Sequence, residues 1–241
     1  AAVPQLAWGL WQLKQALAHR HELDADLSLH AWLQRHPLPS LLWQGCVVPV
    51  LLTVCTCDVA TLLQWPARPL LHFVDLLLQD AGLYRLHGGT QALASALQQD
   101  TLVRCHHAVT AVSQQAQQVW VRDADDQSHS FDHVIVATPT QACTFLDDAQ
   151  YATEKRLLLQ LPYSRGDLVS HTDTSAMPKQ RRDWSPLHYS MSRDFQAHSF
   201  SVWLNPIEAS LANDATPVLQ TWNSLTPLQD SAIVHHTHLT R

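Results

Sequence analysis

Apolar residues recur along this chain with two periods, one helical and one extended, and the change of period divides it into three parts. Over residues 4–35, Leu6, Leu10, Leu13 and Leu17 fall three and four apart with Trp8 and Trp11 beside them, the stripe of an amphipathic helix. A second helix is expected over residues 24–33, capped by Asp26 or Ser28 ahead of Leu29, Trp32 and Leu33 and stopped by His36-Pro37-Leu38-Pro39. Residues 41–63 are apolar almost all round, which predicts a buried helix pair. Gln44, Gly45, Pro49 and Asp58 interrupt that stretch too often for it to span a bilayer. Residues 70–79 return to the amphipathic pattern through Leu71, Val74 and Leu78.

The middle part is the most legible. Gly88 and Gly89 open a helix carried by Leu93, Ala94, Ala96 and Leu97. The glycine pair reads first as a turn supplying positive φ, and second as a place where backbone approaches a phosphate at a helix N-terminus. Residues 101–105 predict a short strand, and residues 109–112 and 119–121 flank a Gln-rich turn as a hairpin. Residues 131–137 form a nearly continuous apolar run stopped by Thr138-Pro139, which predicts a strand buried on both faces. Short helices are expected over residues 141–146 and 151–161. From Asp167 onward the period becomes two: residues 168–173 and 199–204 alternate as strands of an antiparallel sheet.

Composition narrows the function classes. The 241 residues suffice for one large domain or two small ones. Charged residues make up 15%, the formal net charge is −6, and no basic run exceeds Lys179-Gln180-Arg181-Arg182, so a nucleic-acid partner is not expected. No apolar run reaches the ~18–20 residues of a membrane span. Five cysteines without regular spacing favour reduced thiols and a cytoplasmic location, or an organellar one if a transit peptide precedes the Ala-Ala-Val start. Cys55-Thr56-Cys57 lacks the spacer of redox and zinc motifs and reads as a structural pair. Only six glycines are present, and none form the three-glycine turn of a dinucleotide fingerprint.

Three groups of side chains could carry chemistry. His171 and Asp173 are two apart on a predicted strand and would share a face as an acid–base or structural pair. Histidines cluster at His106-His107 and at His235, His236 and His238. A metal centre needs three or four convergent ligands, so none is expected. Trp184, Tyr189, Trp203 and Trp222 fall in or near the late sheet as aromatic wall or packing residues. No Gly-x-Ser-x-Gly elbow supports a serine hydrolase.

Four blocks give the chain a family likeness: Leu83-Tyr84-Arg85-Leu86-His87-Gly88-Gly89; Phe131-Asp132-His133-Val134-Ile135-Val136-Ala137-Thr138; His171-Thr172-Asp173 with Met177-Pro178; and Gln220-Thr221-Trp222-Asn223. In this order, over most of the chain, they resemble the flavin-dependent amine oxidase superfamily, closest to its amine-oxidase-like predicted FAD/NAD-binding oxidoreductases. The resemblance implies an α/β (mixed α+β) fold: a helical part of the substrate domain over residues 1–85, the middle segment of a flavin-binding domain over 86–150, and a substrate-domain sheet over 151–241. It implies FAD as cofactor, a small-molecule substrate and hydride transfer from substrate to flavin N5. It nominates the backbone of Val109 for the adenine edge, Thr138 and Pro139 beside the same cofactor, and Gly88 and Gly89 as a possible phosphate approach. Family members carry a glycine fingerprint near the N-terminus and a second flavin segment near the C-terminus. Neither is seen here, so the chain resembles an internal piece. Neither Lys155 nor Lys179 matches the lysine common near the flavin in amine oxidases. The alternatives are a flavin-dependent desaturase or isomerase of a lipid or carotenoid, favoured by a long, wholly apolar cavity, or a non-catalytic fragment.

Overall fold

The computed structural model of this protein describes residues 2–79, 84 and 86–240. Leu83 and Arg85, named above in the first family block, lie outside the described residues. The chain divides into two compact units, Ala1–Tyr84 with Ser164–Arg241, and Arg85–Tyr163.

The first unit begins with helices. In α1 (Ala2–Ala18) the stripe buries Gly9, Leu13 and Leu17, while Trp8 and Trp11 stack on each other at 5.0 Å on the outer face. Ser28 caps α2 (Leu29–Arg35) by accepting the Ala31 N–H at 3.2 Å. A broken helix follows: α3 (Ser40–Leu42), one wide turn over Trp43–Val47, and α4 (Val48–Cys55). Pro49 explains the break. It has no N–H to give the Gly45 carbonyl and its ring would press on that carbonyl, so the helix widens and Val48 N–H bonds back to Trp43 O instead. Asp58 caps α5 (Val59–Gln64) through the Thr61 N–H at 2.7 Å, and α6 (Ala67–Leu78) closes the helical layer. Leu13, Leu29, Trp32, Leu51, Leu52 and Leu71 are wholly buried in its core.

The second unit contains α7 (Gly89–Leu97), β1 (Val109–Gln115), β2 (Gln118–Asp123), β3 (Ser128–Phe131), a 3₁₀ turn over Thr140–Phe145 and α8 (Asp148–Leu158). The strands form an antiparallel meander in the order β1-β2-β3. Its second turn is tied by Asp123, whose carboxylate accepts the N–H groups of Asp125 and Gln127 at 3.0 and 2.9 Å. Two expectations fail here. Residues 101–105 form no strand, and residues 132–137 are neither strand nor helix and are unpaired among the described residues, with Leu102 83% and Ile135 93% exposed. The β-branched run has the right local propensity, but a strand buried on both faces requires hydrogen-bonding neighbours on both edges. The meander ends at Phe131, and no described strand lies beside the residues that follow. Helix α7 likewise buries no residue.

The first unit resumes as a five-stranded sheet: β4 (Arg165–His171), β5 (Leu187–Met191), β6 (His198–Trp203), β7 (Leu219–Trp222) and β8 (Ile233–Thr240). The order is β5-β6-β7-β4-β8, antiparallel throughout, and α4 packs against β5 and β6. The architecture is mixed helix and antiparallel sheet. Among the described residues no helix is long and apolar enough to cross a membrane.

Candidate functional site

The five residues nominated for the cofactor all fall in the unit Arg85–Tyr163, at accessible positions. Gly88 caps α7 at φ +79° and Gly89 follows at φ +68°, so both use the left-handed backbone that glycine tolerates. A Cβ on Gly88 would meet Ala92 Cβ at 3.0 Å, whereas one on Gly89 would meet nothing within 4 Å. The backbone there opens onto free space at the N-terminus of a nine-residue helix, the arrangement that admits a phosphate group. Val109 begins β1 opposite Asp123, immediately before a bulge at Thr110, whose hydroxyl bonds the carbonyls of Arg122 and Asp123. Thr138 and Pro139 end the largely exposed apolar run. The Pro139 carbonyl accepts the Ala142 N–H at 2.8 Å, starting the turn that carries the Thr140 N–H to Tyr163 Oη at 3.0 Å.

The other unit holds a buried polar line. Along one face of the sheet, His171 Nε2 meets Thr221 Oγ1 at 2.7 Å, and Thr221 Oγ1 meets Ser201 Oγ at 2.7 Å. Thr221 and Ser201 are direct cross-strand partners, while His171 reaches Thr221 diagonally from β4. Among the described residues, His171 Nδ1 is buried with no hydrogen-bond partner. Burial lowers the His171 pKa, an effect the adjacent Asp173 carboxylate and backbone partly offset. Asp173 is committed elsewhere: its two carboxylate oxygens accept the Ser175 and Gln229 N–H groups at 2.8 and 2.9 Å, which hold it below the usual carboxylate range. The two residues thus serve separate hydrogen-bond sets.

This arrangement predicts an acid-sensitive fold. Above pH ~6.5 His171 is neutral in both folded and unfolded chains and contributes no slope. Below it the unfolded imidazole takes up a proton that the buried one resists, so stability falls by up to about 1.4 kcal/mol per pH unit until the native group also titrates. His171→Gln, which can still bond Thr221, is expected to flatten the dependence of the unfolding midpoint on pH below that value. Half-buried His188, shifted the same way by burial, leaves a residual slope. An unchanged slope in the variant would assign the acid sensitivity to other groups.

A cavity of about 510 Å³ lies in the same unit, between the α4–α5 connection and the ends of β4, β6 and β7. Trp222 and Leu52 give it apolar wall; Asp58, Arg165, Asp167 and His198 give it charge and polarity. Asp167 is held ionised by the His238 and His236 imidazoles, and Asp58 by the Thr61 N–H at the start of α5. Burial pushes the Cys57 thiol up to about 11, so it stays protonated and is no nucleophile. Asn223, at φ +47°, closes the wall by exchanging hydrogen bonds with the Asp167 peptide at 2.8 and 2.9 Å. Of the four aromatics singled out by sequence, Trp222 lines this cavity. Trp184 and Trp203 meet edge to face at 5.1 Å with Arg181 beside both rings, and Tyr189 stacks on Phe200 at 4.8 Å. Arg165, Asp167 and His198 went unnoticed in the sequence because each lies just before the alternating stretches 168–173 and 199–204.

Comparisons with known proteins agree with this architecture. No curated protein matches the chain by sequence. Among solved structures, the chain is similar to the crystal structure of a CLA-producing fatty acid isomerase from P. acnes, with a TM-score of 0.55 at 12% identity over 98% of this chain. It spans 62% of that protein's length. The model of the flavin containing amine oxidoreductases matches residues 14–157, from within α1 to within α8. With more than half of its length so matched, the chain belongs to the flavin containing amine oxidoreductase family.

Proposed function

We propose that this chain is part of an FAD-dependent oxidoreductase, with residues 86–150 as a cofactor-binding segment and residues 1–85 and 151–241 forming the substrate side. The observation that carries the reading is the family match over the segment holding Gly88, Gly89, Val109, Thr138 and Pro139, all accessible. Those positions fit the group in kind, since they offer backbone rather than charge. The Val109 peptide has the donor and acceptor that an adenine edge requires. The open space at Gly89 admits a phosphate at the start of α7. Bound flavin supplies a hydride acceptor at its N5 atom.

The chain's own residues bind and orient. The 510 Å³ cavity takes a small molecule, with Trp222 covering its apolar part and excluding water while Asp58, Asp167 and Arg165 orient polar groups. Those charges favour oxidation of a polar, cation-bearing substrate over the isomerase or desaturase alternative, which a long, wholly apolar cavity would favour.

FAD titrated into the chain is expected to show quenched flavin fluorescence, reversed by adenosine monophosphate as competitor. Val109→Pro removes one of the two adenine-facing backbone groups and is expected to raise the dissociation constant by about tenfold, the effect of one hydrogen bond lost. Its far-UV circular dichroism is expected to be unchanged. A folded chain that leaves the flavin signal unaltered at millimolar FAD would refute the reading.

A further inference from the structure

We infer that Asp167, His236 and His238 form a binding site for a divalent transition-metal ion of the zinc class, clamping the edge strand β8 to β4. The sheet itself brings them together. Asp167 is the direct cross-strand partner of His238, and His236 pairs with Val169, two residues along the same face from Asp167. In the antiparallel ladder all three side chains therefore leave the same face, while His235 and Thr237 leave the other and meet each other at 2.6 Å. Asp167 Oδ1 contacts both His238 Nδ1 and His236 Nε2, the latter at 3.4 Å, and the two imidazole centroids are 4.7 Å apart. One donor atom from each residue lies within 4.8 Å of the other two. An ion holding ligands at ~2.0–2.2 Å separates them by at most about twice that, so small rotamer changes complete the set.

The donor chemistry selects the ion. Two imidazoles and one carboxylate suit zinc, cobalt, nickel or copper; calcium and magnesium require an oxygen shell. With a single carboxylate in the set, the two imidazoles supply most of the affinity. All three ligands are open to solvent, with side-chain exposures of 54%, 43% and 82% for Asp167, His236 and His238, so water can fill the remaining positions. They adjoin a second opening of about 480 Å³ lined by Arg165, Asp167, Asn223 and His238. The other convergent group, His107 with Asp123 and Asp125, has a different explanation. It contributes one imidazole, and Asp123 is already engaged by the N–H groups of its own turn. Sequence spacing placed the two histidines but not Asp167, which is 71 residues from His238.

The site is tested with Co²⁺, whose visible bands report imidazole and carboxylate ligation, and with Zn²⁺ followed by amide hydrogen exchange. The unsubstituted chain is expected to bind Co²⁺, and His238→Gln and Asp167→Asn are each expected to weaken binding at least tenfold. His235→Gln and His107→Gln are expected to leave it within twofold. Zn²⁺ is expected to slow exchange across β8 in the unsubstituted chain but not in His238→Gln. All these positions are solvent-exposed, and circular dichroism checks that each variant is folded. Equal Co²⁺ affinity in His238→Gln, equal loss in His235→Gln, or Zn²⁺ binding that leaves β8 exchange unchanged would each overturn the assignment.

Discussion

Gly166→Ala is expected to lower the stability of this protein by about 3 kcal/mol, the upper end of the ordinary cost of overpacking. Gly166 lies on β4 two residues before Leu168, the cross-strand partner of Trp222, so the indole crosses the sheet directly over the glycine backbone. An added Cβ would stand 2.3 Å from Trp222 Cζ2, 2.7 Å from Trp222 Cε2 and 2.8 Å from Asn223 Oδ1. Neither neighbour can yield easily. Trp222 is a buried cavity wall, and Asn223 is tied to the Asp167 peptide by two hydrogen bonds. In a chain of this size the loss corresponds to a fall in melting temperature of roughly 6–12 °C. Trp222→Phe should make room, so the double variant is expected to be less destabilised than the sum of the two single ones, a coupling that a thermal-unfolding cycle measures. Additive effects, or a loss below about 1 kcal/mol for Gly166→Ala, would show that the indole is not held as described.

Trp32→Ala is expected to cost about 4 kcal/mol, within the range for deleting a fully buried aromatic ring. Trp32 has no exposed surface, stacks on His36 at 4.9 Å and lies against Trp43 at 6.0 Å. It shares one buried core with Leu29, Leu51 and Leu71, which come from three different helices and cannot all collapse into the vacancy. Urea unfolding followed by circular dichroism is the measurement, with Trp32→Phe expected to recover at least half of the loss. A midpoint shift as small as that of an exposed tryptophan, for instance Trp8→Ala, would remove Trp32 from the centre of the helical layer.

The helical layer was the part most legible in the sequence, because each helix carries its own periodic stripe and its own stop signal. Ser28 caps α2 and the proline pair follows it; Leu13 and Leu17 mark the buried side of α1. The β1-β2 hairpin and the glycine start of α7 were legible for the same local reason. β3 was missed because Ser128-His129-Ser130-Phe131 is too polar to resemble a strand and is recruited by pairing with β2. Residues 132–137 failed in the opposite direction: they carry strong strand propensity with no paired neighbour among the described residues. The candidate cofactor positions came from a family pattern around Gly88, Val109 and Thr138. The cavity and the Asp167–histidine cluster did not, since the registers Asp167↔His238 and Leu168↔Trp222 depend on pairing between segments far apart in the chain. The packing of α4 on β5 and β6, which joins the two ends of the sequence in one unit, is equally non-local.

The apolar run after Phe131 also leaves a β-prone stretch without a partner strand among the described residues. Val134, Ile135, Val136 and Ala137 form a short, uncharged, β-prone stretch, with Ile135 and Val136 exposed and no proline before Pro139. Such a stretch can pair with the same stretch on another molecule, adding intermolecular ladder bonds that the monomer does not make. An encounter of this kind grows with protein concentration, so Ile135→Lys is expected to raise the concentration at which the protein stays in solution, without touching either core.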